Sequence, residues 1–385
     1  MKNYKKNALI FLVIVVVLSI VVSSRDGESM SNGRTIKIGS IGALSGVGNL
    51  IGAEERNGAL LAIEEINSRG GIKSAGNSSL ELVSEDLSFD KMKNSSAVAS
   101  KLISVDKVVA VVGPQWDEPT EAVVPIFEAS KVPLVSGDVT NQIESKKNYE
   151  YLFSTWFDNR VGIKTILQDM KDSGVKKVAI IRPIDAGFWK FTADLVLEHA
   201  PSYDVSVVSD HKLSDPFTVD YRTTLAKIKS EKVDAIFIVV TDPTQCPFLK
   251  QVKELSLNVP IYGTEAMGSH ASLGVCADLM EQTKFASPKG GVLATEFNEK
   301  YKARFGRYPL YPSAITMYDA VGVVANSLEK TQGKGGEILQ KAIQNTSKFK
   351  GASQNITFDS KGFVITPEDA FKMMTVRNGV FVGVN

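Results

Sequence analysis

TIKIGSIGALSGVGNLIGAEERNGALLAIEEINSRGGI, residues 35–72, is the stretch around which the rest of the chain is organised. Ile36, Ile38 and Ile41 form a short apolar run with Gly and Ser, which suits a strand buried in a parallel sheet. Residues 42–52 are rich in Gly and other small residues and read as a loop. From Ala53 a helix is expected, because Ala59, Ala62, Ile63 and Ile66 recur at i, i+3, i+4 and i+7 and make one apolar face. Gly70 and Gly71 stop it. Strand, glycine loop and helix in immediate succession are the first half of a βαβ unit.

Leu44-Ser45-Gly46 in the loop is followed by Asn57-Gly58-Ala59, Ala62-Ile63, Ile66-Asn67 and Gly70-Gly71-Ile72. With these spaced motifs the stretch resembles the N-terminal segment of the extracytoplasmic solute-binding proteins of the branched-chain amino-acid type. These are type I periplasmic binding proteins serving ABC transporters. The resemblance runs from about Ile36 to the C-terminus and is strongest up to Thr140. It implies two doubly wound α/β lobes joined by a three-strand hinge, with a small solute held in the cleft between them.

Toward the N-terminus, Lys2, Lys5 and Lys6 precede an apolar run over residues 8–22, broken only by Ser19. A polar segment follows, which is the layout of a secretory leader. The run is shorter than the ~20 residues of a membrane span. Cleavage after Val22-Ser23-Ser24 and retention as an N-terminal anchor both stay open. No Cys follows the run to accept a lipid. An exported location, periplasmic or on the outer face of the membrane, is therefore expected.

A net charge of +1, with 43% hydrophobic and 23% charged residues, describes an ordinary globular chain and implies no nucleic-acid partner. Cys246 and Cys276 are the only cysteines. In an exported protein such a pair suggests one disulfide, here joining neighbouring loops of one sheet; two buried thiols are the alternative. Two Cys and three scattered His make no zinc site, and neither metal nor cofactor is expected. Asn77, Asn94, Asn345 and Asn355 head N-x-S/T sequons, which are surface acceptors in a glycosylating organism and chance otherwise.

Downstream, strands and helices alternate: strands at 80–83, 108–112 and 132–135, helices at 91–105 and 118–130. This pattern predicts a parallel sheet covered on both faces. It restarts at Asp158, which can cap a helix to about 172, and continues with strands at 175–181, 205–208, 233–240 and 260–262. Late helices fall at 294–305 and 314–330, and late strands at 356–358, 371–376 and 380–384. The expected division is a leader and linker at 1–34, one lobe from 35–156 and 290–360, and a second from 157–289 and 361–385. The resemblance puts the crossings near 155–158, 287–290 and 359–362.

Doubly wound sheets bind ligands at the carboxyl ends of their strands. The strands at 108–112 and 132–135 run into Gly113-Pro114-Gln115-Trp116-Asp117 and Ser136-Gly137-Asp138-Val139-Thr140. The resemblance implies that these loops hold an amino-acid carboxylate, with Thr140 as the hydroxyl of the second and Ser45 nearby in the Leu-Ser-Gly loop. Asp117 departs from the pattern, standing where the family has Ser; helix cap and ligand-facing acid are both open roles. Glu265, in Gly263-Thr264-Glu265, matches the family's acid for a ligand ammonium, a charge-assisted hydrogen bond. Asp242 replaces an aromatic cover and becomes a candidate second cation partner. Phe188 or Trp189, in Asp185-Ala186-Gly187-Phe188-Trp189, matches an aromatic lid, with core packing as the alternative. The candidate binding residues are thus Ser45, Trp116, Asp117, Asp138, Val139, Thr140, Phe188, Asp242 and Glu265.

Acids with aromatics and no placed Arg or Lys favour a cationic or ammonium-bearing ligand. An amino acid, an amine and an amide all remain open. The G-x-G-x-x-G spacing fails at Ile51, and no G-x-S-x-G, H-E-x-x-H or Walker loop occurs, so no enzyme is expected. The reading is a monomeric solute-binding protein that delivers its ligand to the permease subunits of an ABC importer. A ligand-sensing ectodomain is the alternative, and a hydrolase on the same scaffold a weaker one.

Overall fold

The computed structural model describes residues 34–384, apart from 47, 88, 144–148, 184–186, 216, 241 and 243. The expected leader thus falls outside the described residues, except for Arg34. Among the described residues no helix is long and apolar enough to cross a membrane.

The first sheet contains β1 (Ile36–Gly42), β2 (Leu80–Asp86), β3 (Ala110–Val112), β4 (Leu134–Ser136) and β5 (Leu152–Ser154), all parallel, in the order β2-β1-β3-β4-β5. β3, β4 and β5 are buried along their length, whereas the edge strand β2 carries Glu81, Glu85 and Asp86 and is only partly covered. Ile36 and Ile38 of β1 enter one core and Ile41 the opposite one, as the two-residue alternation of a strand requires. Helix α1 (Asn49–Ser68) starts one turn before the expected point and buries Ala59, Ala62 and Ile63 on the first of these cores. The expected helix at 91–105 is broken into a 3₁₀ turn, α2 (Ser95–Ser100) and a π turn at Lys101–Asp106. Val98 and Leu102 face the core, but the wider π turn rotates Val105 out to 72% exposure. Helix α3 (Asp117–Ser130) covers the second face with Val123, Val124 and Phe127.

The chain passes to the second sheet at 155–158. There Asp158 caps α4 (Asn159–Asp172), accepting from the Arg160 N–H at 2.9 Å. Then follow β6 (Lys177–Arg182), α5 (Gly187–His199), β7 (Ser206–Lys212), α6 (Arg222–Glu231), β8 (Ala235–Ile238), α7 (Gln245–Glu254), β9 (Ile261–Gly263), α8 (His270–Cys276) and β10 (Thr283–Pro288). In β8, Ala235 and Phe237 feed one core while Ile236 and Ile238 feed the other. A disulfide joins Cys246 of α7 to Cys276 at the end of α8, so it links two helices.

The chain returns to the first lobe after β10. Helices α9 (Ala294–Phe305), α10 (Ser313–Thr331) and α11 (Glu337–Gln344) pack there, followed by the short hairpin β11 (Phe349–Lys350) and β12 (Asn355–Ile356). Neither α8 nor α11 was visible as a periodic pattern. The last crossing lies later than the boundary expected at 360/361. Phe363 still bridges Ser154, and Phe363 and Val364 sit in first-lobe cores, which moves the crossing to 365–370. β13 (Phe371–Arg377) and β14 (Val380–Gly383) then add antiparallel edge strands to the second sheet, whose order is β14-β13-β10-β9-β8-β6-β7. Hydrogen bonds tie the crossings to one another: the Asp158 N–H donates to the Thr366 hydroxyl at 2.9 Å and the Lys289 N–H to the Ala370 carbonyl at 2.8 Å.

Candidate functional site

The carboxyl ends of the parallel strands of both sheets face one cavity, part of it open to solvent. The first lobe contributes Ile51 from α1, Trp116 and Asp117 after β3, Asp138 and Thr140 after β4, and Tyr311 to Ser313 at the entry of α10. The first crossing adds Trp156, and the second lobe adds Phe188 from α5 and Glu265 and Ala266 after β9. None of these lining residues is Lys, Arg or His.

Asp117 does not cap its own helix. It is the first helical residue, after Trp116 at φ 68°. Its carboxylate reaches across to the next loop, where it accepts the Thr140 N–H at 2.8 Å and the Thr140 hydroxyl at 2.7 Å. Burial nevertheless raises its pKa to about 7, against the lowering effect of those Thr140 bonds and with a further upward push from Glu118 and Glu121. Glu265 opens a 3₁₀ turn capped by Thr264, and burial raises it to about 7 despite a hydrogen bond from Asn159. Asp138 is raised by burial and by the facing Asp117 and Glu265, while the Trp116 N–H and Glu55 hydrogen-bond to it.

Glu55 lies behind Asp138, 2% exposed and beside Ser313, without a hydrogen bond of ordinary geometry. Burial first, and then Asp138, pushes its pKa well above the usual carboxylate range. The Trp116 ring packs against the glycine loop. A Cβ at Gly48, whose φ is +84°, would sit 2.6 Å from that ring, so only Gly fits there.

Three of the expected binding residues are not among those lining the cavity. The Ser45 hydroxyl donates to Asp86 at 2.5 Å, and the Leu44 and Ser45 N–H groups bond the same carboxylate, so Ser45 is turned to the end of β2. Val139 points into the core beneath β4 while its neighbours Asp138 and Thr140 face the cavity, as alternation in an extended segment dictates. Asp242 accepts the hydroxyls of Ser269, Ser272 and Tyr311, the last at 2.8 Å, so it is held as a junction. Of the 185–189 loop only Gly187 onward is described; Phe188 lines the cavity and Trp189 is core. Glu55, Ile51 and the Tyr311-Pro312-Ser313 segment went unrecognised in the sequence. Only Pro312-Ser313, as a helix start, carried any local signal.

The Tyr311–Asp242 bond joins the lobes. The segment before α10 belongs to the first lobe, held there by Glu54 of α1, which pairs with Arg307 and accepts the Leu310 N–H at 2.7 Å. A second interlobe bond runs from the His270 N–H to the Leu310 carbonyl at 3.0 Å.

Two doubly wound lobes meeting on such a cavity define a two-lobed ligand-binding protein. The chain belongs to the periplasmic binding protein family, whose model matches residues 35–379. Among its relatives, a leucine-, isoleucine-, valine-, threonine- and alanine-binding protein of Pseudomonas aeruginosa is 28% identical over 338 residues, covering 85% of this chain and 87% of that protein. Among solved structures, the branched-chain amino acid transporter substrate-binding protein LivJ of Streptococcus pneumoniae, in complex with isoleucine, matches with a TM-score of 0.80 at 26% identity over 90% of this chain and 98% of that one. An ABC transporter solute-binding protein of R. palustris, in complex with benzoate, shares the fold with a TM-score of 0.79 at 17% identity, over 91% and 95% of the two chains.

Proposed function

We propose that this protein captures a small polar solute, an amino acid or a related amine or amide, in the interlobe cavity and delivers it to the permease subunits of an ABC importer. The single observation that carries the reading is the cavity itself. It is walled by Trp116, Trp156 and Phe188 and set with acids from both lobes, at the carboxyl ends of both sheets. The relatives named above, amino-acid-binding and solute-binding proteins, support it. Export as a monomer, through the leader at residues 1–34, belongs to the same reading, with cleavage or anchoring left to the leader itself. We assign the cavity no catalytic role.

Closure of the lobes buries the solute between groups from both sides. In this reading Glu265 receives an ammonium group while the aromatic walls enclose the rest. Binding to the native state alone raises the melting temperature. The test is a thermal-shift screen of the purified protein against amino acids, amides, amines and carboxylates. A shift of several degrees with at least one class is expected, and Glu265→Gln should weaken binding of an amine-bearing ligand tenfold or more. A screen silent across every class would sink the reading.

A further inference from the structure

We propose that the captured solute is an organic cation, an ammonium or guanidinium compound that carries no carboxylate beside its charge. This deepens the reading above and rests on it.

The side-chain hydroxyls of the cavity, Ser313 apart, already have acceptors. Thr140 gives both its N–H and its hydroxyl to Asp117, at 2.8 and 2.7 Å. Tyr311 gives its hydroxyl to Asp242, outside the cavity, at 2.8 Å. Of the lining hydroxyls only Ser313 has no bonded partner. What remains facing the space is a set of acceptors, Asp138 and Glu265, on opposite lobes. Glu55 stands buried behind Asp138, its carboxyl against that of Asp138. Among the described residues no basic side chain lines the cavity to receive an anion.

A zwitterion placed here would set its carboxylate among buried carboxyl groups, with no basic side chain of the described residues to receive it. Otherwise it would have to expel Asp117 from Thr140 and leave that acid buried and unpaired. A cation meets neither penalty. It gains charge-assisted bonds to Asp138 and Glu265, and the faces of Trp116, Trp156 and Phe188 suit it by cation–π attraction. The burial-raised pKa values of these acids agree, since a bound cation is what would bring them back to the ionised form.

Titration calorimetry on the intact protein with matched ligands decides the matter. Leucine is compared with 3-methylbutylamine and isovaleramide, arginine with agmatine, lysine with cadaverine, and choline is added as a quaternary cation. The expected result is binding of at least one carboxylate-free cation, tenfold or more tighter than its amino acid or amide counterpart. In an Asp117→Ser variant, which empties the Thr140 seat, the amino acid should gain relative to the amine. Should that variant fail to fold, the native protein alone still decides. An amino acid or amide that binds as tightly as its amine overturns the inference. So does a panel in which no cation binds. In that case a carboxylate or neutral solute that binds keeps solute capture standing, whereas silence from every ligand takes solute capture down as well.

Discussion

Asp117 and Glu265 are acids whose pKa values rise to about 7 in the fold, from ordinary values of 3.8 and 4.5. A group raised on folding lends stability below its unfolded pKa and withdraws it as pH climbs through the folded value. The unliganded protein should therefore lose melting temperature between about pH 4 and pH 7, the window of these shifts, which differential scanning calorimetry reads directly. Binding of an amine runs the other way, because the cation favours ionised carboxylates. Its affinity should tighten severalfold from pH 6 to pH 8 with proton release, seen as a buffer-dependent heat of binding. A pH-independent affinity would mean that neither acid changes charge on binding. At this scale the sequence told part of the story. Trp116, Asp117 and Asp138 were legible as cavity residues because they follow strand ends, and Thr140, Phe188 and Glu265 through the family resemblance of their loops. Ser45, Val139 and Asp242 were not legible as turned away, because side-chain direction depends on partners such as Asp86 and Ser269 that are distant in sequence.

Helix α1 shows why one motif residue has to be what it is. An added Cβ at Gly58 would lie 2.0 Å from the Ala314 carbonyl of α10, so the two helices cross with backbone against backbone. Gly58→Ala should cost about 1–3 kcal/mol through overpacking, even after the ~1 kcal/mol that Ala gains over Gly in a helix. A lowered midpoint in urea unfolding checks this. A Cβ added at Gly274 of α8 would meet nothing within 4 Å, so Gly274→Ala should be neutral or slightly stabilising in the same assay. The strands and long helices could be read because β1 and β8 alternate between two cores and α1 repeats at helical spacing. The seven- and eight-residue helices α8 and α11 could not, since each offers barely two turns of pattern. The π turn after α2 was equally hidden. The approach of α10 to α1 brings Tyr311, Pro312 and Ser313 to the cavity, and that approach is tertiary, with no local signature.

Across the whole molecule, the lobes are bridged by the Tyr311 hydroxyl on Asp242 and the His270 N–H on Leu310. Tyr311→Phe keeps the ring in the cavity wall and removes only the bond. It should raise the ligand's Kd about threefold to tenfold, the effect of a single hydrogen bond of about 0.5–1.5 kcal/mol, and enlarge the radius of gyration of the unliganded protein in small-angle scattering. Unchanged values for both would show that the contact has no part in closure. The two-lobe plan followed from the alternation of elements and its restart at Asp158, but the last crossing did not, because Phe363 and Val364 look alike whichever core receives them. The carboxylate seated on Thr140 has one more consequence. Being covalently tethered, it competes for that seat at an effective concentration far above the millimolar range. Free anions in the surroundings, however abundant, are thereby outcompeted by part of the protein itself, and changes in their supply leave the seat filled.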